Sequence, residues 1–296
     1  MHAARRREHA QLQVVAERRR PAAAGLLALA LSSGCGEPTP PVASGAAARV
    51  VVLAPSATET VFGLGAGDRV VGACGQCDFP PEAARVPKVG GYLTPSVESV
   101  LGVRPDLVIA VPSPGNREAV RAIERAGVRV VVVQDRRLAD LWDSIRIIAD
   151  ALGMPAAGVR LAADVHAKLD AVSARVAGRL RPRVLLVVGH SPLIVAGGGT
   201  LQGELIEIAG GTNVAADVGA AWPQVSPELV IARAPEVILD AAMGTEAGGR
   251  ALFADLATVP AVANDRIVPI QADALFRAGP RVPDGAALLA AAIHPD

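Results

Sequence analysis

Short apolar runs rich in Val and Ile recur along this chain, separated by stretches with helical spacing. Residues 50–53 open the series, and residues 107–111 and 128–133 repeat it. Unbroken apolar runs of this length predict strands buried on both faces, as in parallel sheets. After the first run, Ser56-Ala57-Thr58-Glu59 has capping-box spacing for a helix ending at Leu64, with Gly65 suited to stop it. Asp68-Arg69-Val70-Val71-Gly72 reads as turn and strand. Thr94-Pro95 offers a cap and a proline at the first helical position, predicting a helix to about Val103. Residues 118–126 predict a further helix, closed by Gly127. This alternation is that of an α/β fold.

The second half says the same thing again. Residues 183–188 repeat the opening strand, and a helix over 204–209 is followed by Gly210-Gly211 as the first helix is followed by Gly65 and Gly67. Glu98 precedes Pro105 by seven positions; an acid follows the proline and a strand follows the acid. Glu228, Pro235 and Glu236 reproduce that order. Arg49 and Arg183, at matching places in the two strand patterns, lie 134 residues apart and the glutamates 130. Three matches in one order predict two similar lobes.

Between the halves the pattern becomes helical. Residues 138–152 predict an amphipathic helix, interrupted at Gly153-Met154. Pro155 then opens a second, over 156–180, with Leu161, Val165, Leu169, Val172 and Val176 on one face. Its roughly 26 residues would span about 39 Å, enough to pass from one lobe to the other. The expected organisation is a signal at 1–35, a tether at 36–48, an N-terminal lobe at 49–137, a helical region carrying the bridge at 138–182, and a C-terminal lobe at 183–296. The fold class is α/β, two Rossmann-like lobes bridged by one long α-helix.

Composition changes this picture mainly at the N-terminus. Arg18-Arg19-Arg20, an apolar stretch over 22–31 and Ser32-Ser33-Gly34 make a secretory signal. Cys35 follows directly, as in bacterial lipoprotein signals, where the cysteine is acylated; Ser32 stands where that pattern usually has Leu. Ten apolar residues are too few to span a bilayer. Residues 36–48, rich in Pro, Ala and Gly, read as a tether. The whole chain has no net charge, but residues 1–34 hold six Arg and two Glu, leaving 23 basic and 27 acidic side chains beyond them. That balance argues against a nucleic-acid surface.

Candidate chemistry is sparse. The histidines are His2, His9, His166, His190 and His294, with no close pair, so no metal site is expected. His190 ends the first strand of the second lobe, where ligand contact and a structural hydrogen bond are equal readings. Gly197-Gly198-Gly199-Thr200 lacks the Lys ending of a phosphate loop and reads as a tight loop before a helix. No nucleophile elbow or catalytic triad is found. Cys74 and Cys77 have the spacing of a local disulfide, a redox pair or half a zinc site. With aromatics only 2 % of the chain, each can be weighed singly. Phe62 and Trp142 fall on helices and read as core. Phe79, Tyr92, Trp222 and Phe276 fall in loops of the kind that form the ligand crevice at the carboxyl ends of strands.

Six motifs then appear in order: Ala54-Pro55-Ser56-Ala57-Thr58-Glu59, Cys77-Asp78-Phe79-Pro80, Val89-Gly90-Gly91-Tyr92, Arg104-Pro105-Asp106-Leu107-Val108, Trp222-Pro223-Gln224-Val225-Ser226 and Arg277-Ala278-Gly279-Pro280-Arg281. Together they resemble the periplasmic solute-binding proteins of ABC importers, in the class with a helical backbone between the lobes, and most closely its cobalamin-binding branch. The resemblance covers nearly all of residues 49–296. It implies ligand contacts from Tyr92, Trp222 and Asp273, and Pro55, Ser56, Ala57, Phe79, His190, Phe276 and Arg277 complete the expected ligand-binding set. It also implies that Glu98 and Glu228 pair with arginines of the importer's transmembrane dimer. Ala274 and Leu275 depart from the branch, which carries an aromatic pair there. The implied protein is extracytoplasmic, anchored through a lipid on Cys35, free of cofactor or metal, and specific for cobalamin or a related corrinoid. An iron-siderophore or haem ligand is the alternative, with Tyr92 as a haem ligand. A two-lobed enzyme is the remaining reading, without a catalytic constellation to support it.

Overall fold

A computed structural model describes residues 47–242, 247–271 and 273–295. The expected signal, Cys35 and all but the end of the tether lie outside those residues. The first lobe runs β1 (Val50–Val52), α1 (Pro55–Gly63), β2 (Val70–Ala73), α2 (Pro81–Ala84), α3 (Val97–Gly102), β3 (Leu107–Ala110), α4 (Arg117–Arg125) and β4 (Arg129–Val132). Its strands form one parallel sheet in the order β2-β1-β3-β4. β1 and β3 are fully buried, as their unbroken apolar runs require, whereas the edge strand β4 is partly exposed.

Two helices follow, α5 (Leu138–Ala151) and α6 (Pro155–Val176). The second lobe comprises β5 (Arg183–His190), β6 (Leu193–Val195), α7 (Leu201–Ile208), β7 (Thr212–Asn213), α8 (Pro227–Arg233), β8 (Val237–Asp240), α9 (Ala247–Phe253), α10 (Pro260–Ala263), β9 (Ile267–Pro269), α11 (Asp273–Phe276) and α12 (Val282–Ile293). β6 pairs antiparallel with the far end of β5. The remaining strands, in the order β7-β5-β8-β9, are parallel and repeat the first sheet.

The repeat extends to single hydrogen bonds. Arg49 and Arg183 sit at equivalent places before and at the start of the two central strands. Asp106 accepts the Arg49 amide at 3.0 Å, and Glu236 accepts the Arg183 amide at 2.8 Å. Arg49 Nε donates to the Arg104 carbonyl, and Arg183 Nε to that of Ala234. Arg104 and Ala234 both hold left-handed backbone, with φ of 48° and 44°. This is the shared fixture behind the acid-after-proline pattern read in the sequence.

Helices α5 and α6 feed both cores. Leu141 and Ile145 of α5, with Val165, Leu169 and Val172 of α6, pack into the second lobe. Ile148, Ala149 and Leu152, at the far end of α5, pack into the first. Leu161 touches both. A Cβ on Gly158 would lie 2.6 Å from the Ala149 Cβ, so the close approach of the two helices requires glycine there. The rings of Trp142 on α5 and His166 on α6 stack at 3.6 Å between centroids.

Three expectations need correction. α6 has 22 residues, about 33 Å, because the helix stops at Val176 and Gly178 takes a left-handed conformation. α3 begins at Val97 under a Ser96 cap, since Pro95 bridges Gly90 instead of starting a helix. Ser56 and Glu59 form no capping box: α1 starts at Pro55, and both side chains turn to other partners.

Candidate functional site

The carboxyl ends of both sheets face a cavity of about 780 Å³. From the first lobe and the segment after it come Pro55 and Ser56 at the start of α1, Gln76 after β2, Tyr92, and Asp135, Arg136, Arg137 and Asp140 around the start of α5. The second lobe contributes Gly199, Thr200 and Gln202 at the start of α7, then Ala221, Trp222, Phe276 and Arg277. A cleft of this size with three aromatics and several placed polar groups is built to hold a small molecule.

Each wall is fixed locally. A disulfide joins Cys74 and Cys77 and closes the short loop that carries Gln76. Gln76 Oε1 accepts the Tyr92 amide at 2.9 Å. The Tyr92 phenol is pushed up to about 12 by burial and by the nearby Asp135 carboxylate. Burial also holds Asp135 above the usual carboxylate range; Asp140 adds to this, while the Ser56 hydroxyl, donating at 3.2 Å, and Arg136 oppose it. Asp140 accepts the amides of Arg136 and Arg137, both at 3.0 Å, and so shapes the turn that presents Asp135.

Across the cleft, Gly197 and Gly198 serve backbone contact, whereas Gly199 holds left-handed backbone with φ of 71°. A Cβ on Gly197 would lie 2.3 Å from the Ala220 carbonyl, and one on Gly198 would lie 2.2 Å from that of Ala216. Thr200 caps α7 by accepting the Gly203 amide. The Trp222 loop is pinned where Val195 donates to Pro223 and Gly197 to Ala221. Trp222 and Phe276 remain exposed.

The lobes also bind one another beside the cavity. Glu59 is buried and accepts from Arg281 at Nη2 and Nε, 2.5 and 3.1 Å. Arg277 pairs with Asp78 at 2.7 Å, Asp273 at 2.8 Å and Glu59 at 3.6 Å. The Arg277 guanidinium holds the Asp78 carboxyl below its usual range.

Of the ten residues expected to contact ligand, Pro55, Ser56, Tyr92, Trp222, Phe276 and Arg277 line the cavity, and the other four lie elsewhere. Ala57 is buried in the first core. The Phe79 ring lies under the Arg281 guanidinium, 3.7 Å away, and packs the lobe contact. Asp273 pairs with Arg277. His190 Nε2 lies 2.8 Å from Asp240 Oδ1, a bond that ties the ends of β5 and β8. Asp135 and Gln202 were not expected, although the rule of the carboxyl strand ends points to Asp135, which follows β4. Among the described residues no cluster of three His, Cys, Asp or Glu is placed to hold a metal ion, and no helix is long and apolar enough to cross a membrane.

The two lobes, the bridging helix and the cleft between them define a solute-binding protein. Residues 50–274 match the model of the periplasmic binding protein family, and the chain belongs to that family. It is 31 % identical over 245 residues to the vitamin B12-binding protein of Salmonella choleraesuis, covering 82 % of this chain and 89 % of that one. Among solved structures it resembles the periplasmic haem-binding protein RhuT of Roseiflexus sp. RS-1 in its apo form. There the identity is 35 %, the coverage 83 % of this chain and 97 % of that one, and the TM-score 0.72. The vitamin B12-binding protein BtuF of Vibrio cholerae gives 29 %, 84 %, 97 % and 0.73. The family binds small molecules in the periplasm and delivers them to ABC transporters; its members are not enzymes.

Proposed function

We propose that this protein captures cobalamin or a related corrinoid and hands it to an ABC importer. The observation that carries the reading is the cleft framed by Tyr92 and Trp222 in a chain aligned with vitamin B12-binding proteins over four-fifths of its length. Flat aromatic faces and a few fixed polar groups suit a large, rigid macrocycle. Haem is the second reading. It draws on the likeness to RhuT and on the Tyr92 phenol, an oxygen donor at the cavity wall. Titration of purified protein with cyanocobalamin and with haemin, followed by visible spectroscopy and calorimetry, separates the two. Tight binding of cyanocobalamin alone supports the first reading; a haemin spectrum with a tyrosinate ligand, without cobalamin binding, replaces it with the second.

Docking is assigned to Glu98 and Glu228. Each is exposed in the first turn of a short helix capped by a serine, Ser96 or Ser226, and the two stand at equivalent places in the repeat. The Ser226 hydroxyl lowers the Glu228 carboxyl below its ordinary range, which keeps it charged. Matching carboxylates on matching lobes suit a two-fold symmetric partner. Acylation of Cys35 would tether the protein to the membrane, and mass spectrometry of the mature N-terminus tests it.

A further inference from the structure

We infer that Asp135 is a specificity-determining residue of the cleft: it accepts an amide N–H of the ligand and turns away ligands that bring a carboxylate to that place. The inference rests on the corrinoid reading, because a corrinoid periphery carries carboxamides where a haem periphery carries carboxylates. Asp135 lines the cavity, and among the described residues its carboxylate receives the Ser56 hydroxyl alone. An ionised carboxylate has room for about four donors, so most of its capacity faces the cavity.

The amide of Gln202, on the other lobe, is closed to the cavity. Gln202 is buried on the cavity wall, and its Nε2 donates to the Leu275 carbonyl at 2.8 Å. That bond fixes the amide orientation and leaves Oε1 buried without a partner. Oε1 has no surface open to the cavity, so it does not compete for the ligand. On the same wall the Arg277 guanidinium is engaged by Asp78, Asp273 and Glu59, whereas those of Arg136 and Arg137 pair with no carboxylate among the described residues, so the preference assigned here is that of the place beside Asp135 alone. Asp140 is likewise committed, to the amides of Arg136 and Arg137. Asp135 is the acceptor with unused capacity on the wall, and it favours a donor-bearing ligand beside it.

The test compares dicyanocobinamide, with peripheral carboxamides, and dicyanocobyrinic acid, with carboxylates, by calorimetry. The protein as it stands is expected to bind the amide form at least about tenfold more tightly, and Asp135→Asn to shrink that preference by about tenfold. Asp135→Glu should retain the preference. Thermal melting checks that Asp135→Asn is folded, and Asp135→Ser takes its place if it is not. An undiminished preference in the neutral variant overturns the role of Asp135 while leaving the corrinoid reading intact. Failure of the unaltered protein to bind either corrinoid overturns both.

Discussion

Arg281 reaches from the second lobe into the first and closes on the buried carboxylate of Glu59 with two hydrogen bonds. The pair sits where the sequence pattern read a helix cap. A carboxylate with 2 % of its side chain exposed needs a partner, and the guanidinium fork supplies one with matched geometry. Arg277 stands nearby, so two cations converge on one acid.

That convergence makes the two ends of the pair unequal. Glu59→Gln leaves two guanidinium groups facing each other beside a neutral amide, whereas Arg281→Met leaves Glu59 with Arg277. Breaking a buried pair costs about 3–5 kcal/mol. Glu59→Gln should fall in that range and Arg281→Met below it, as measured by urea unfolding with and without both substitutions.

Trp222 is partly exposed on the cavity wall and contributes little to the core, so Trp222→Ala should leave stability nearly unchanged. Its loss should weaken ligand binding by about 2 kcal/mol, the scale for an aromatic anchor. Calorimetry with cyanocobalamin checks both the direction and the size.

Tyr92 is the only tyrosine, so ultraviolet titration of phenolate reads a single group. The absorbance step is expected near pH 12 instead of near 10. A phenol with a raised folded value gives stability that is whole below about pH 10 and is lost as pH climbs toward 12. Removing the neighbouring charge with Asp135→Asn should bring the step down.

Reversal of Glu98 and Glu228 to Lys should abolish corrinoid uptake in cells while calorimetric affinity stays the same. Both are exposed and lie away from the cavity wall, so a loss of affinity would count against the docking assignment.

The strands, the repeat and the two central helices were legible because each writes itself into consecutive residues. Val50 to Val52 must be apolar on both faces, and Pro155 can only open a helix where it stands. The cleft aromatics Tyr92 and Trp222 were legible through their motifs. Long-range partnerships were not. The local spacing of Ser56 and Glu59 satisfies a capping rule, but Asp135 and Arg281 lie 79 and 222 residues away and win them. His190 was ambiguous for the same reason, since Asp240, its partner, is 50 residues on. The contact of Phe79 with Arg281 was hidden likewise, because nothing nearby in the chain announces Arg281.

The stack of Trp142 on His166 gives the molecule an optical consequence. Only two tryptophans are present, and they stand in unlike settings: Trp222 at the cleft, Trp142 against an imidazole between the two central helices. A coloured macrocycle entering the cleft would quench the emission of Trp222 first. Fluorescence from the unlabelled protein therefore reports cargo through Trp222, with Trp142 off the cavity wall as its internal reference, and Trp142→Phe isolates the cleft signal.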